Sequence, residues 1–554
     1  MPVAPTLSGA VYRKLLLFIA GMGGLLYGID VGIIAAALLY LGRTVHLSQQ
    51  QTSIIVAAVL GGSMLSSLVA GVLADWLGRR RLMIFSGFCF LASVGLIVLS
   101  QGFASLFVGR LLQGMSGGLI AVVVPLYLAE CLPAASRGRG SAIFQLMLTV
   151  GIAIAAFVGW YYTQQAERII HAAPGSAAVL FAASNHAWRS MFLAVVYPGA
   201  VFFLGAFLLG ETPRWLYRKA RPEKALAELL RVVDPAEARR QYDEMEELAH
   251  AASAGKQQGA SGSLLQRRYV VPFFLACVIL ACNQATGINS ILAYLVLILR
   301  QAGMSADHAT QGDAAVKVLN VVMTLLAVAL VDRKGRKFLL ILGSSGMLVA
   351  LVAAGLLFHS FEAKRVDLAP QLRQQVRDNR LVVPVQALSA ADGSEPMSLS
   401  VLYSYGAGDK VVAARSTDAD AVLRIVPEPS EKGTLVLQHA YWAPAPSERM
   451  GWGIAACLAL FIAAFAAGPG VVVWLALSEL MPTRIRSNGM GVGLLINQGI
   501  STLLAGVFLS VVGRYGYFTM FWLWAACAVV YLCTAIFFLP ETKGKTLEEI
   551  EQSF

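Results

Sequence analysis

The chain contains twelve apolar segments that are each long enough to cross a lipid bilayer. A helix needs roughly 20 apolar residues to do so, and within the hydrocarbon core it satisfies all its own backbone polar groups. Charged residues make up only 14% of the 554 residues, whereas a soluble domain carries charge on about a quarter of its residues. The sequence therefore predicts an all-α membrane protein with twelve transmembrane helices. The predicted spans are 15–41, 52–74, 82–101, 105–129, 140–160, 189–210, 270–299, 310–331, 338–358, 450–479, 487–511 and 515–538.

Lysine and arginine are concentrated in every second loop between these spans. The loops after spans two, four, eight and ten are the basic ones, whereas the opposite short loops hold few basic residues. Basic loops stay in the cytoplasm, so we expect both termini and the polar segment 211–268 to be cytoplasmic, in a cytoplasmic (inner) membrane. The net charge of +11 then indicates topology, and we expect no nucleic-acid partner. We interpret the first apolar run as a retained span, because it is too long for a cleaved signal peptide.

The two halves of the chain repeat. Asp75-Trp-Leu-Gly-Arg-Arg80 after span two matches Asp332-Arg-Lys-Gly-Arg-Lys337 after span eight, and Glu211-Thr212 matches Glu541-Thr542. This duplication predicts two six-helix halves around a central site. The predicted parts are a first half (1–210), a cytoplasmic helical linker (211–268), spans seven to nine (269–359), an extracytoplasmic insertion (360–448), spans ten to twelve (449–538) and a cytoplasmic tail (539–554).

The insertion interrupts the second half between spans nine and ten. Its alternating apolar runs, such as Leu399-Ser-Val-Leu-Tyr403 and Thr434-Leu-Val-Leu-Gln438, predict a small β-rich domain. Three interpretations remain open for this domain: a cap over the pore, a ligand-binding unit, and a passive addition.

Span seven carries more polar side chains than a membrane helix needs. Asn283, Tyr294 and Gly287 fall on one face of a straight helix, but Gln284 and Asn289 do not. A break at Gly287 would bring these groups together, and converging amides suit an uncharged, hydroxyl-rich ligand such as a sugar. The alternative is that the amides only join neighbouring helices.

Two opposite charges lie inside the predicted membrane region. Asp30 is in span one and Arg110 is in span four, both on the outer side. A buried charge is costly there and pairing reduces the cost. A carboxylate that gains and loses its partner as the protein moves changes its proton affinity, which is what proton coupling requires. The alternative is a static ion pair. Lys317 and Asp313 in span eight are further intramembrane charges, without a predicted role.

Charged residues also repeat at the cytoplasmic ends of the spans. We predict that they latch the two halves together in the outward-open state through charge-assisted pairs. The alternative is that they only anchor the topology. The predicted latch residues are Asp75, Arg79, Glu130 and Arg137, with their counterparts Asp332, Arg336, Glu479 and Arg486.

The sequence contains no motif for catalysis or for binding a metal. It has no glycine-rich phosphate loop, no Cys/His cluster with ligand spacing and no convincing Ser/His/Asp arrangement. We therefore expect a protein that is not an enzyme and that needs no cofactor.

Seven segments together resemble the sugar porters of the major facilitator superfamily. They are Asp75-Trp-Leu-Gly-Arg-Arg80, Glu130 with Arg137-Gly138, Glu211-Thr-Pro-Arg-Trp-Leu216, Asn283-Gln-Ala-Thr-Gly-Ile-Asn289, Asp332-Arg-Lys-Gly-Arg336, Gly468-Pro-Gly470 with Trp474, and Pro540-Glu-Thr-Lys-Gly544. The resemblance implies the twelve-helix alternating-access fold and transport of a monosaccharide. It also implies that Tyr294 belongs to the outer gate and that Asp30 with Arg110 is the proton pair of the symporter branch. The implied or predicted residues of the sugar site are Gln145, Asn283, Gln284, Asn289, Tyr294, Asn320, Trp474 and Asn497.

From these observations we predict a proton-coupled importer of a monosaccharide, a hexose rather than a pentose. Its expected partners are the sugar, the proton and the lipid bilayer, and we expect it to function as a monomer. Two alternatives remain open: a facilitative uniporter in which Asp30 is only structural, and a membrane sugar receptor that no longer transports.

Overall fold

The computed structural model describes residues 9–45, 47–132, 134–173, 175–255, 267–390, 396–406, 408–417, 421–427, 433–480 and 486–541. Twelve helical segments in this part of the chain are long and apolar enough to cross a membrane. The predicted number of spans is therefore confirmed. The predicted domain boundaries stay a prediction.

The first half consists of six spans. Its helices are α1 (Gly9–Thr44), α2 (Gln49–Leu77), α3 (Arg79–Val98), α4 (Phe103–Cys131), α5 (Ala134–Ala172), α6 (Ala177–Ala194) and α7 (Val196–Ala206). The sixth span is formed by α6 and α7 and begins at Ala177, so its predicted start at 189 was wrong. Likewise α5 continues past the predicted end at 160. No proline or glycine interrupts the sequence between 161 and 173, so nothing stops the helix there.

A helical linker joins the two halves, as predicted. It contains α8 (Pro213–Arg218), α9 (Pro222–Val232) and α10 (Pro235–Gly255). Each of these helices begins at a proline, whose fixed φ angle suits the first helical position and which lacks the N–H that would be left unpaired there.

The second half begins with three spans, numbers seven to nine. Span seven is divided into α11 (Arg267–Ala285) and α12 (Ile288–Gln301), and it is followed by α13 (Ala306–Lys334) and α14 (Arg336–Glu362).

The insertion that follows is β-rich, as predicted. A four-stranded antiparallel sheet has the order β1-β6-β3-β4, and β2 pairs with β5 in a separate antiparallel pair. Leu399, Val401 and Ala440 are fully buried between these layers. The elements are β1 (Val366–Asp367), α15 (Ala369–Arg373), β2 (Leu381–Pro384), α16 (Val385–Ala390), β3 (Met397–Ser404), β4 (Asp409–Arg415), β5 (Val422–Ile425) and β6 (Val436–Pro444).

Spans ten to twelve complete the second half. Span ten is divided into α17 (Glu448–Ala467) and α18 (Pro469–Leu480), span eleven is α19 (Arg486–Tyr515), and span twelve is α20 (Tyr517–Cys533) with a π-helical end at Thr534–Phe538.

The two halves meet along α2 with α19, α1 with α12, and α5 with α13. We call the end of the bundle that carries the insertion the insertion face, and the opposite end the linker face. Near the insertion face Ala57 and Gly61 of α2 pack against α19. One helical repeat further along the same face of α2, Leu68 and Val72 are 50% and 72% exposed. The halves are therefore closed at the insertion face and diverge toward the linker face.

Candidate functional site

The helix break predicted at Gly287 is present. Helix α11 ends at Ala285 and α12 begins at Ile288. Gly287 between them has a φ of 84°, in the left-handed region that favours glycine. The buried indole of Trp524 packs directly against its Cα, where a side chain would otherwise lie. The break therefore depends on glycine both for its backbone conformation and for space.

Replacing Gly287 by alanine is expected to destabilise the protein strongly. The left-handed conformation costs about 1–2 kcal/mol for other residues, and over-packing against Trp524 adds about 1–3 kcal/mol. The expected result is a fall of about 2–4 °C in the midpoint of thermal unfolding of the detergent-solubilised protein. Gly71→Ala on α2 is the matched control, because no heavy atom lies within 4 Å of the added methyl group. Equal midpoints for the two variants would contradict this account of the break.

The break lets three amide side chains form a chain of hydrogen bonds. Gln284 Nε2 donates to Asn283 Oδ1 at 3.3 Å, and Asn289 Nδ2 donates to Gln284 Oε1 at 3.0 Å. Asn289 Nδ2 also donates to Ser501 Oγ of α19 at 2.8 Å. On a straight helix Gln284 and Asn289 would point in different directions, so the unwound turn is what brings them together. We call this set of four residues the amide chain: Asn283, Gln284, Asn289 and Ser501.

The other predicted sugar contacts lie on four further helices. Asn497 is buried one turn from Ser501 on α19, and its Nδ2 donates to the carbonyl of Leu280 at 3.1 Å. Asn320 is buried on α13, and Gln145 is half-buried on α5. Trp474 belongs to α18, but its side chain lies outside the part of the chain that the structure describes. The structure thus joins Asn283, Gln284 and Asn289 directly, and it adds Ser501, which the sequence analysis missed.

Tyr294 lies on the insertion-face side of the amide chain. Its hydroxyl donates to the carbonyl of Ala505 at 3.0 Å, and its ring stacks on Phe508 with the centroids 4.5 Å apart. The side chain is completely buried. In this conformation Tyr294 therefore binds α12 to α19, and its role in an outer gate stays a prediction.

Asp30 and Arg110 face each other, as their positions predicted. Arg110 Nη1 lies 3.5 Å from Asp30 Oδ1, and both side chains are buried. The same Nη1 donates to Gln113 Oε1 at the shorter distance of 2.7 Å. Asp30 Oδ2 is buried without a hydrogen-bond partner among the described residues. Gln113, one turn beyond Arg110 on α4, thus competes with Asp30 for the guanidinium group, which the sequence analysis did not anticipate.

Arg79 is the centre of the charged cluster at the linker face. Its Nη2 lies 2.8 Å from both Asp75 Oδ1 and Glu130 Oε1, and Arg218 of the linker contacts the same two carboxylates. All four residues belong to the first half or to α8. In this conformation the cluster therefore joins helices of one half to the linker, and a latch between the halves stays a prediction. The side chains of Arg137, Asp332, Glu479 and Arg486 lie outside the described residues.

Two glutamates occupy equivalent positions at helix N-termini of the linker face. Glu211 accepts hydrogen bonds from the backbone N–H groups of Arg79 and Arg80, and Glu541 accepts from those of Arg336 and Lys337. Burial raises the pKa of Glu211, and these N–H donors lower it only in part. The arrangement follows the repeat found in the sequence, and the negative charge suits the positive end of each helix dipole.

A family comparison agrees with this geometry. The family described as "Sugar (and other) transporter" matches residues 16–368 and 433–554. The chain belongs to the sugar porter family. The internal stretch left unmatched, 369–432, lies inside the insertion, so this part of the insertion is an addition to the family's common core.

The relatives of this sugar porter match it over almost its whole length. The glucose transporter GlcP of Staphylococcus epidermidis is 27% identical over 97% of each chain. The galactose-proton symporter of Escherichia coli is 25% identical over 97% of this chain and 93% of the relative. An inward-open structure of the xylose transporter XylE from E. coli superposes with a TM-score of 0.67 at 20% identity, covering 98% of this chain and 100% of that chain. This last likeness shows that the fold is the same.

The insertion of this sugar porter contacts both halves. Gly408 packs against Ser48 before α2, in the first half. On the second half, Asp409 Oδ2 lies 3.1 Å from Arg514 Nη2, and Arg415 Nη2 donates to the carbonyl of Arg300 at 3.1 Å. The insertion therefore rests across the closed insertion face.

Proposed function

We propose that this sugar porter imports a monosaccharide together with a proton, and that a hexose is preferred over a pentose. The amide chain at the Gly287 break is the observation that carries the proposal. It places several donors and acceptors, without a net charge, in the membrane interior between α11, α12 and α19. Such groups match the hydroxyl groups of a sugar and offer nothing to a charged ligand.

The printed names of the relatives support the choice of substrate. They include a glucose transporter, a galactose-proton symporter and, in Homo sapiens, a proton myo-inositol cotransporter that is 28% identical over 97% of this chain and 81% of the relative. Each of these names refers to a six-carbon polyhydroxylated compound, and two of them refer to protons.

In the proposed cycle the sugar binds while the insertion face is open and Asp30 carries a proton. Spans seven and ten then close over the sugar, the insertion face closes, and the linker face opens for release. The described conformation corresponds to this release stage, because α2 and α19 are packed near the insertion face and exposed toward the linker face. Release of the proton from Asp30 restores its attraction to Arg110 and prepares the return.

We further propose that the linker face is cytoplasmic. The basic residues at this face, Arg79 to Arg81, agree with that orientation. Both termini are then cytoplasmic, in a cytoplasmic (inner) membrane, and the insertion is extracytoplasmic. Since the predicted sugar contacts of one chain include Gln145 of the first half and the amide chain of the second, we propose that a single chain in the bilayer is the functional unit.

Uptake of radiolabelled sugars into proteoliposomes tests the proposal directly. With an imposed inward proton gradient, the wild-type protein is expected to accumulate a hexose above the external concentration, and to accumulate a pentose less. Uptake that only equilibrates, with or without the gradient, would establish a uniporter instead. Sugar binding without any flux would favour a receptor.

A further inference from the structure

A second pair of opposite charges is buried in the membrane region, on α13. Lys317 Nζ lies 2.8 Å from Asp313 Oδ2, one helical turn earlier. The two side chains are 0% and 1% exposed. Buried charges inside a membrane protein are costly, and nothing in the proposed sugar and proton sites uses this pair. Its presence therefore needs an explanation of its own.

Lys317 also crosses from the second half to the first. Its Nζ donates to the backbone carbonyl of Gly32 on α1 at 3.2 Å, two residues after Asp30. Nearer the insertion face, Trp160 Nε1 of α5 donates to Asp307 Oδ1 of α13 at 3.1 Å. Both contacts join α13 to helices of the other half. Separation of the halves at this end would break both contacts.

The hydrogen-bonding capacity of the Asp313–Lys317 pair is only partly used in this closed conformation. Asp313 Oδ1 is buried and has no hydrogen-bond partner in the part of the chain that the structure describes. The free energy that two buried charges lose on leaving water can exceed the energy of their mutual attraction. Apolar side chains of similar volume are therefore often more stable at such a position. Removing one partner is worse, because the remaining charge is then buried alone. In the open state of the proposed cycle α13 and α1 separate, and since Lys317 lies at their contact, water then reaches both groups and removes these costs.

We propose that Asp313 and Lys317 are positioning residues of the transport cycle: together they destabilise the state closed at the insertion face, and so keep the open state accessible. The pair acts through the contact of α13 with α1 and does not touch the sugar. The proposal rests on the alternating access proposed above, but it concerns the ratio of the two states and not the identity of the substrate.

Distances between spin labels measure this ratio without any transported sugar. The labels are placed at Arg168→Cys on α5 and Arg449→Cys on α17, two exposed positions at the insertion face of different halves. Cys457, Cys527 and Cys533 are replaced by alanine, since the other four cysteines are buried. The protein is measured in lipid nanodiscs, and the fraction of molecules with the longer distance between the two labels gives the population of the open state.

The three variants of the pair have different expected results. Asp313→Asn leaves Lys317 buried alone and should raise the ratio of open to closed at least tenfold. Asp313→Leu with Lys317→Met removes both charges and should lower the ratio below that of the wild type. The swapped pair, Asp313→Lys with Lys317→Asp, restores opposite charges and should return the ratio toward the wild-type value.

A merely structural pair would give another pattern. Unchanged ratios in all three variants, or a shift of the single and the apolar double variant in the same direction, would overturn the proposal. Val318→Ala is the control on the same helix; its side chain is exposed, so the ratio should stay unchanged. If Asp313→Asn does not fold, the apolar double variant decides alone: a lower ratio supports the proposal and an unchanged one refutes it. Failure of sugar uptake in the wild type would refute the proposed function and leave these distances interpretable.

Discussion

Asp30→Asn is expected to abolish uphill accumulation of sugar and to leave downhill exchange intact. Asparagine has nearly the shape of aspartate but cannot carry a proton across the membrane, so the driving force is lost while the sugar site remains. A membrane potential of 100 mV supplies about 2.3 kcal/mol per charge, which corresponds to roughly fifty-fold accumulation. The variant should reach a ratio of about one, measured as labelled hexose inside and outside proteoliposomes with an imposed gradient.

The control for this experiment is Asp243→Asn, which changes an exposed carboxylate of the linker helix α10. It should accumulate sugar like the wild type. If Asp30→Asn accumulates sugar to the same level as this control, Asp30 does not carry the coupled proton, and the ion pair with Arg110 is structural.

Gln284→Ala is expected to weaken sugar binding by roughly a hundredfold or more. Gln284 forms hydrogen bonds to both Asn283 and Asn289 within the amide chain. A site built to hydrogen-bond a polar ligand loses orders of magnitude in affinity when a partner is missing. Asn289 keeps its bond to Ser501, so the fold should persist. Binding is measured by titration calorimetry on the purified protein, and folding by its thermal unfolding midpoint.

Gln374→Ala provides a matched amide control in the same half. Its side chain is exposed on the insertion, away from the amide chain. Affinity within twofold of the wild type is expected for this variant. The same result for Gln284→Ala would show that the amide chain only joins α11, α12 and α19, which is the alternative that the sequence left open.

The sequence predicted those features that depend on local composition or on internal repetition. Twelve apolar runs determine the spans, and the duplicated Asp75 and Asp332 segments determine the division into halves. The break at Gly287 was also predictable, because polar residues scattered around a membrane helix require an irregular backbone at the one residue that tolerates it. These inferences need no knowledge of which helices are neighbours.

Partners that come from other helices were not predictable in this way. Ser501 joins Asn289 across 212 positions, and Arg218 joins Glu130 across 88. Gln113 was not predicted for another reason. It lies one turn from Arg110, but an amide in a membrane helix rich in small residues is usually explained by helix packing. A serine or an exposed arginine carries no pattern of its own, so only the packed structure identifies its role.

The topology of the insertion has a consequence for protein engineering. In chain order β1 and β6 are the first and last strands of the four-stranded sheet. They pair with each other, with Val366 opposite Trp442. The chain therefore leaves α14 and returns to α17 through two adjacent strands, and exchange of what lies between them does not require the helices to move. A rigid domain whose own termini are neighbours can replace the rest of the sheet. Such a chimera would enlarge a small membrane protein for single-particle electron microscopy, with a marker fixed by two strands instead of a flexible tether.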